Sequence, residues 1–186
     1  MTGQKALILI LLLLLVLSCR KTTTFDNFGG FAQGTTYSVT FANKGNIDPQ
    51  ELKSEIEKIL KEFDLSLSLY ADSSILSKVN RNEDVQVDRY FSEAFRKSVE
   101  ISELSGGAFD ITVGPLTRAW GFGPDDYRNF SESKLDSLLK LIGMEKVRLE
   151  NNRVIKTDPA IKFDFNAIAQ GYSVDVVSEY LDSRGI

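Results

Sequence analysis

The sequence has 186 residues, a formal net charge of −4, one cysteine and no histidine. Without histidine there is no Ser-His-Asp triad, Cys-His pair or His-ligated zinc site, and a single cysteine excludes a disulfide within the chain. Mild acidity with no basic stripe argues against nucleic acid as a partner, while the length suffices for one domain with a real core.

Lys5 precedes an unbroken apolar run from Ala6 to Leu17. That run is too short to span a bilayer, which needs roughly 20 residues, but it matches the core of a secretory signal. It ends in Val16-Leu17-Ser18-Cys19, an arrangement that resembles a bacterial lipoprotein signal. Residues 1–18 are therefore expected to be the signal, and Cys19 the lipidated first residue of the mature protein. Residues 19–28 read as a polar tether and 29–186 as the folded domain.

Phe31 to Phe41 is rich in β-branched and aromatic residues and reads as a strand. Tyr37, Val39 and Phe41 share one face, and Gly34 suggests a bulge or a close approach. Asp48-Pro49-Gln50-Glu51 is a helix start, with Asp48 as cap and Glu51 closing a capping box. Leu52, Ile56, Ile59, Leu60 and Phe63 mark its apolar face. Leu65, Leu67 and Leu69 alternate with serines, predicting extended chain up to Tyr70, which is either a core or rim aromatic or a stacking surface for a planar ligand. A short helix carrying Ile75, Leu76 and Val79 follows, then a longer one over Arg89 to Leu104, stopped by Gly106-Gly107.

The stretch GGAFDITVGPLTRAWGFGPDD sets glycines among aromatic residues. This is either an irregular connection or the wall of a site for a large planar cofactor, with Trp120 and Phe122 as flat surfaces. It contains neither GxGxxG nor GxxxxGK[ST]. Ser131 caps a helix with Leu135, Leu138, Leu139 and Ile142, ended by Gly143, and two short strands follow near Lys146–Leu149 and Val154–Lys156. In KFDFNAIAQGYSVD, Ile161, Phe163 and Phe165 alternate with Lys162 and Asp164, the period of a half-buried strand. The period then changes to helical: Ala169, Tyr172, Val176 and Tyr180 form one stripe, and Val174, Val177 and Leu181 another. The small residues Asn166 and Ala167 at this junction serve either close packing or a phosphate at a helix N-terminus, with Asp164 at its mouth. Strands and helices do not alternate strictly, so an α+β fold with a mixed or antiparallel sheet packed by helices is expected.

AQGTTYSV, LSLYADSSILSKVN, SGGAFDITVGPLTRAWGFG and DFNAIAQGYSVD, in this order behind a lipoprotein signal, resemble the ApbE family of FAD:protein FMN transferases. The resemblance covers nearly all of the expected mature chain but only the N-terminal half to two-thirds of a family member. The family's later Gly-Gly strand segment and its Asp-and-Thr metal motif are absent, so the sequence reads as a truncated product or a fragment, with its own catalytic competence open.

The resemblance implies an ApbE-like, T-fold-related domain that binds FAD and Mg²⁺ outside the cytoplasm. It implies transfer of FMN from FAD to a threonine hydroxyl of an acceptor flavoprotein, such as a redox-pump subunit, with release of AMP. An FAD pyrophosphatase, or a non-catalytic flavin-binding lipoprotein or remnant, are the alternatives. Carried over residue by residue, the flavin contacts fall on Gln33, Tyr70, Ala108, Phe109, Asp110, Asp164 and Gln170, and the carbonyl of Ala167 becomes a magnesium ligand. The family often has methionine at the position of Gln33 and lysine or glutamate at that of Gln170. No catalytic residue is assigned. Location in the bacterial envelope is implied, lipid-anchored to the inner membrane through Cys19 and facing the periplasm or exterior.

Overall fold

A computed structural model describes residues 24–44, 47–123 and 131–186. The expected signal segment and Cys19 lie outside the described residues. Strands β1 (Thr24–Ala32) and β2 (Thr35–Asn43) form an antiparallel hairpin in which Phe28 pairs with Val39 and Ala32 with Thr35. The single strand expected over Phe31–Phe41 is thus two strand ends and a turn. The chain reverses at Gln33-Gly34, both with positive φ (52° and 74°), the backbone that two-residue hairpin loops need. The tether also ends earlier than expected. Thr24 to Phe28 is already strand, because Phe28 is buried edge-on against Phe41, with ring centroids 6.2 Å apart.

Helix α1 (Pro49–Leu67) starts where Asp48 accepts a hydrogen bond from the Gln50 amide at 2.8 Å. It runs past the point where the alternating Leu-Ser pattern predicted extended chain. Ser66, which reads as a solvent-facing residue in that pattern, is buried and donates to Asp88 Oδ1 at 2.7 Å. A polar partner inside the protein therefore lets the helix continue through Leu67. Helix α2 (Ile75–Asn80) is capped by Ser74, and α3 (Arg89–Leu104) by Asp88, whose Oδ1 accepts from the Phe91 amide at 2.9 Å. Helix α3 closes as expected, with the Gly107 amide donating back to the Ser102 carbonyl at 2.8 Å.

The glycine-rich stretch is not wholly irregular: it contains α4 (Gly114–Ala119), with Pro115 in the first turn, where its missing N–H costs nothing. Helix α5 (Glu132–Leu139) has Ser131 at its N-cap position without a side-chain cap bond, and ends four residues before Gly143. After a 3₁₀ turn (Met144–Lys146), β3 (Val147–Glu150) and β4 (Arg153–Lys156) form a second antiparallel pair. Residues 161–165 are extended but make one parallel bridge, Val113 to Lys162, and not a ladder. Helix α6 (Asn166–Ser183) follows directly. Of its two expected stripes, Val176 is buried and Val177 and Leu181 are partly so, whereas Val174 is exposed.

The architecture is α+β. One core packs Phe63 and Leu67 of α1, Leu76 and Val79 of α2, and Phe91 and Phe95 of α3 around Ile161, Phe163 and Phe165. The Phe91 ring lies edge-on to Phe165 with centroids 5.2 Å apart. A smaller core joins the hairpin to α1 through Phe28, Phe41, Leu52, Ile56 and Leu60. The first core fixes where residues 162–166 run, and with them the site.

Candidate functional site

The alternation of residues 161–165 explains how Asp164 is presented. Ile161, Phe163 and Phe165 are fully buried, so Lys162 and Asp164 must point the other way, where they are partly exposed. One edge of this segment is held by residues 111–114. The Asp164 amide donates to the Ile111 carbonyl at 2.8 Å, and the Gly114 amide donates to the Lys162 carbonyl at 3.2 Å. The approach is so close that a Cβ on residue 114 would sit 2.5 Å from the Lys162 oxygen. The other edge is held by Asn80, whose side-chain amide donates to the Phe163 carbonyl (2.9 Å) and accepts from the Phe163 amide (2.7 Å).

Asp164 Oδ2 accepts from Thr117 Oγ1 at 3.1 Å, and its Oδ1 accepts from the Asn166 amide at 2.9 Å. This second bond alters the expected chemistry of the helix start. The Asn166 amide, the donor a phosphate would have used, is already taken by a carboxylate, and that negative charge at the mouth favours a cation beside it. Asp164 lines a cleft of about 390 Å³ with Asn80, Thr117, Arg118, Lys162 and Phe122. Burial, and then the nearby charge of Arg118, pushes the Lys162 ammonium below its usual pKa.

Asp110 sits one residue before Ile111, and so next to the strand-like contact that holds Asp164. Its Oδ1 accepts from both the amide and the hydroxyl of Thr112, at 2.7 and 2.6 Å. Thr112 is fully buried, and its oxygen accepts in turn from the Gly143 amide at 2.8 Å. The loop before it turns through Gly106 and Gly107, leaving Ala108 exposed and Phe109 half-buried against the main core.

A second cleft, of about 580 Å³, brings together Gln33, Tyr70, Asn166, Ala169 and Gln170. Leu69 lines both clefts, so the two adjoin. Tyr70 is 66 % exposed at this cleft, so its side chain is accessible to a ligand. Gln33 Oε1 accepts from Ser173 Oγ at 3.2 Å, and its Nε2 is buried without a hydrogen-bond partner among the described residues. A buried polar atom in that state is the kind that a ligand atom satisfies.

Ala167 does not join this group. It lines a separate groove between α3 and α6, with Glu93, Tyr172 and Asp175. Its carbonyl belongs to the first turn of α6, where a helical oxygen keeps a second lone pair beside its ladder bond. Trp120 and Phe122 are both exposed, Phe122 at the Asp164 cleft and Trp120 just after α4. Asn80 and Thr117 were not singled out by sequence. Thr117 lies one helical turn beyond Gly114, a spacing that could have pointed to it; Asn80, at the end of a short helix, carried no such signal.

The donors suit a hard cation in part. Among the described residues no three His, Cys, Asp or Glu side chains gather as a metal cage. One carboxylate (Asp164) and one hydroxyl (Thr117) would supply part of an oxygen shell, and Mg²⁺ usually completes such a shell with water and substrate phosphate.

Residues 33–186 match the model of the ApbE family. The chain is 33 % identical over 180 residues to an FAD:protein FMN transferase of Vibrio cholerae serotype O1, covering 94 % of this chain and 54 % of the relative. It is 31 % identical over 177 residues to that of Haemophilus influenzae, covering 89 % and 51 %. Among solved structures, the flavin transferase ApbE from Vibrio cholerae superposes with a TM-score of 0.83 at 32 % identity, over 89 % of this chain and 55 % of that one. The apo flavinyl transferase ApbE of Pseudomonas stutzeri gives 0.78 at 31 % identity, over 87 % and 53 %. The chain spans about half the length of the curated relatives it matches.

Proposed function

This chain belongs to the ApbE family, and from that premise we propose that it carries the FAD-binding part of an Mg²⁺-dependent FAD:protein FMN transferase. The observation that carries the reading is the pair of adjoining clefts. Gln33, Tyr70 and Gln170 line one, Asp164 and Thr117 line the other, and Leu69 is common to both. A flat ring system and a charged diphosphate are the two ends such a site would take.

In the proposed reaction the hydroxyl oxygen of an acceptor threonine attacks the phosphorus of the FMN half. A P–O bond to the AMP phosphate breaks, the hydroxyl proton passes to solvent or a nearby base, and AMP leaves. Phosphoryl transfer of this kind depends on positioning and charge neutralisation, so the work of this chain is to hold its substrate. Tyr70 offers a stacking face, and Gln33 and Gln170 offer amides for the polar edge of the flavin. Asp110 and Asp164 are held by Thr112 and Thr117, and Asp164 with Thr117 would hold Mg²⁺. When bound, that ion would offset charge on the diphosphate. The acceptor is proposed to be a flavoprotein with a target threonine. Acylation at Cys19 would anchor the protein at the outer face of the inner membrane.

The test is incubation with FAD, Mg²⁺ and a threonine-bearing acceptor. Covalently labelled, fluorescent acceptor with AMP in equal amount is expected. AMP without labelled acceptor would mean hydrolysis, and neither product would reject the reading. For the anchor, Cys19→Ala is expected to move the protein from the membrane to the soluble fraction.

A further inference from the structure

We propose that Asn80 is the positioning residue for Asp164, and that it makes the metal-dependent part of dinucleotide binding depend on a side chain at the end of α2. This rests on the reading above. The segment carrying Asp164 has two backbone edges, and residues 111–114 cover only one of them. On the other, the N–H and C=O of the fully buried Phe163 would have no water to bond to, and an unpaired buried peptide group is costly.

Asn80 supplies both missing partners, at 2.9 and 2.7 Å, from 83 residues away in the chain. Its amide acts as the peptide group of an absent neighbouring strand. The Phe163 carbonyl is in the peptide bond to Asp164 and the Phe163 amide in the one before it, so this clamp fixes the backbone directly ahead of Asp164 and with it the direction in which the carboxylate leaves. Asn80 also lines the same cleft as Asp164.

Helix α2 is itself tied to the aromatic end of the site. Ser74 Oγ, at its N-cap, donates to the Ser68 carbonyl at 2.7 Å, and Ser68 Oγ accepts from the Tyr70 amide at 3.1 Å. At the other end of the helix, Lys156 donates to the Val79 carbonyl at 2.9 Å, and Lys162 donates to the Asn80 carbonyl. The two lysines serve the last carbonyls of α2, which have no partner in their own helix. A six-residue helix thereby spans from the Tyr70 segment to the Asp164 segment, with Asn80 as its contact at the Asp164 end.

The test compares FAD dissociation constants, by quenching of flavin fluorescence, in EDTA and in excess Mg²⁺, together with the thermal midpoint. For the unaltered protein Mg²⁺ is expected to tighten binding. Asn80→Ala is expected to reduce that tightening by about tenfold, the scale of loss when the partner of a metal ligand is removed, with little change in EDTA. Asn80→Leu is nearly isosteric and adds no charge to the cleft. It can neither donate to the Phe163 carbonyl nor accept from the Phe163 amide, so it should show the same loss. Leu76→Ala, a core truncation on the same helix, should lower the midpoint and leave the ratio of the two constants intact. If the unaltered protein binds FAD no better with Mg²⁺, both this inference and the functional reading fall. If it does bind better, and Asn80→Leu keeps the full ratio or loses affinity equally in both conditions, only the role of Asn80 falls.

Discussion

Thr117 donates its hydroxyl to Asp164 Oδ2 across 3.1 Å, joining a short helix to an extended segment 47 residues later. A hydroxyl holding a carboxylate is worth about 0.5–1.5 kcal/mol, rising when the acceptor is charged. Thr117→Val keeps the shape and removes the donor. We expect FAD affinity in Mg²⁺ to fall roughly three- to tenfold, by the conversion of about 1.4 kcal/mol per decade, with the thermal midpoint lowered by only a few degrees. A flavin-fluorescence titration in Mg²⁺ measures this, and unchanged affinity would remove Thr117 from the site.

Tyr70 and Phe91 provide a contrast between binding and packing. Tyr70 is 66 % exposed, whereas Phe91 is fully buried against Phe163 and Phe165. Tyr70→Ala should change stability by no more than about 0.5 kcal/mol while abolishing most of the quenching of bound flavin. Phe91→Ala should destabilise by about 3–5 kcal/mol. Urea denaturation alongside FAD titration separates the two, and a large stability loss at Tyr70 would identify it as a packing residue.

The sequence was legible where local chemistry and tertiary packing agree. Helix α3 is bounded as its four-residue apolar spacing and terminal glycines require. The hairpin was harder to see, because Gln33 is an uncommon residue for a left-handed turn position and the strand pattern runs through it. Helix α1 outran its expected end because Ser66 finds Asp88 inside the protein, a partner no local pattern can reveal. The same holds at the site. Gln33, Tyr70 and Gln170 meet in one cleft, while Ala167 faces another groove because helix geometry turns it away. Asn80 and Thr117 escaped notice because their bonding partners lie 83 and 47 residues further along.

Gly114 is predicted to be intolerant of any side chain. A Cβ there would stand 2.5 Å from the Lys162 carbonyl oxygen and 2.9 Å from its carbon, both backbone atoms that cannot swing aside. Gly114→Ala must therefore push residues 111–114 away from the segment that presents Asp164. Overpacking of this kind costs about 1–3 kcal/mol, and FAD binding should weaken with it. Denaturant unfolding and titration should both register the change, and a variant as stable as the parent would show that the two segments are not so tightly apposed.

Lys156 makes stability depend on pH in a direction unusual for a lysine. Its ammonium donates to the Val79 and Ile161 carbonyls at 2.9 and 3.1 Å and lies 6.0 Å from the centre of the Phe163 ring. Burial first, and the charge of Lys162 second, push its pKa from the usual 10.5 to about 8. Below about pH 8 both folded and unfolded chains hold this proton, so the cost of burying the charge is constant. Between about 8 and 10.5 the unfolded chain keeps a proton that the folded one has released, so the contribution of this group to stability rises with pH. The neutral amine still has two N–H groups for its two carbonyls, so neither bond is lost. The unfolding free energy of the parent, minus that of Lys156→Met, should be flat from about pH 6 to 7.5 and climb from about 8 to 10. Urea denaturation at fixed pH steps measures that difference. A level difference across the whole range would mean that Lys156 remains charged in the folded protein and that its two carbonyls and the phenyl face fully replace the water it lost.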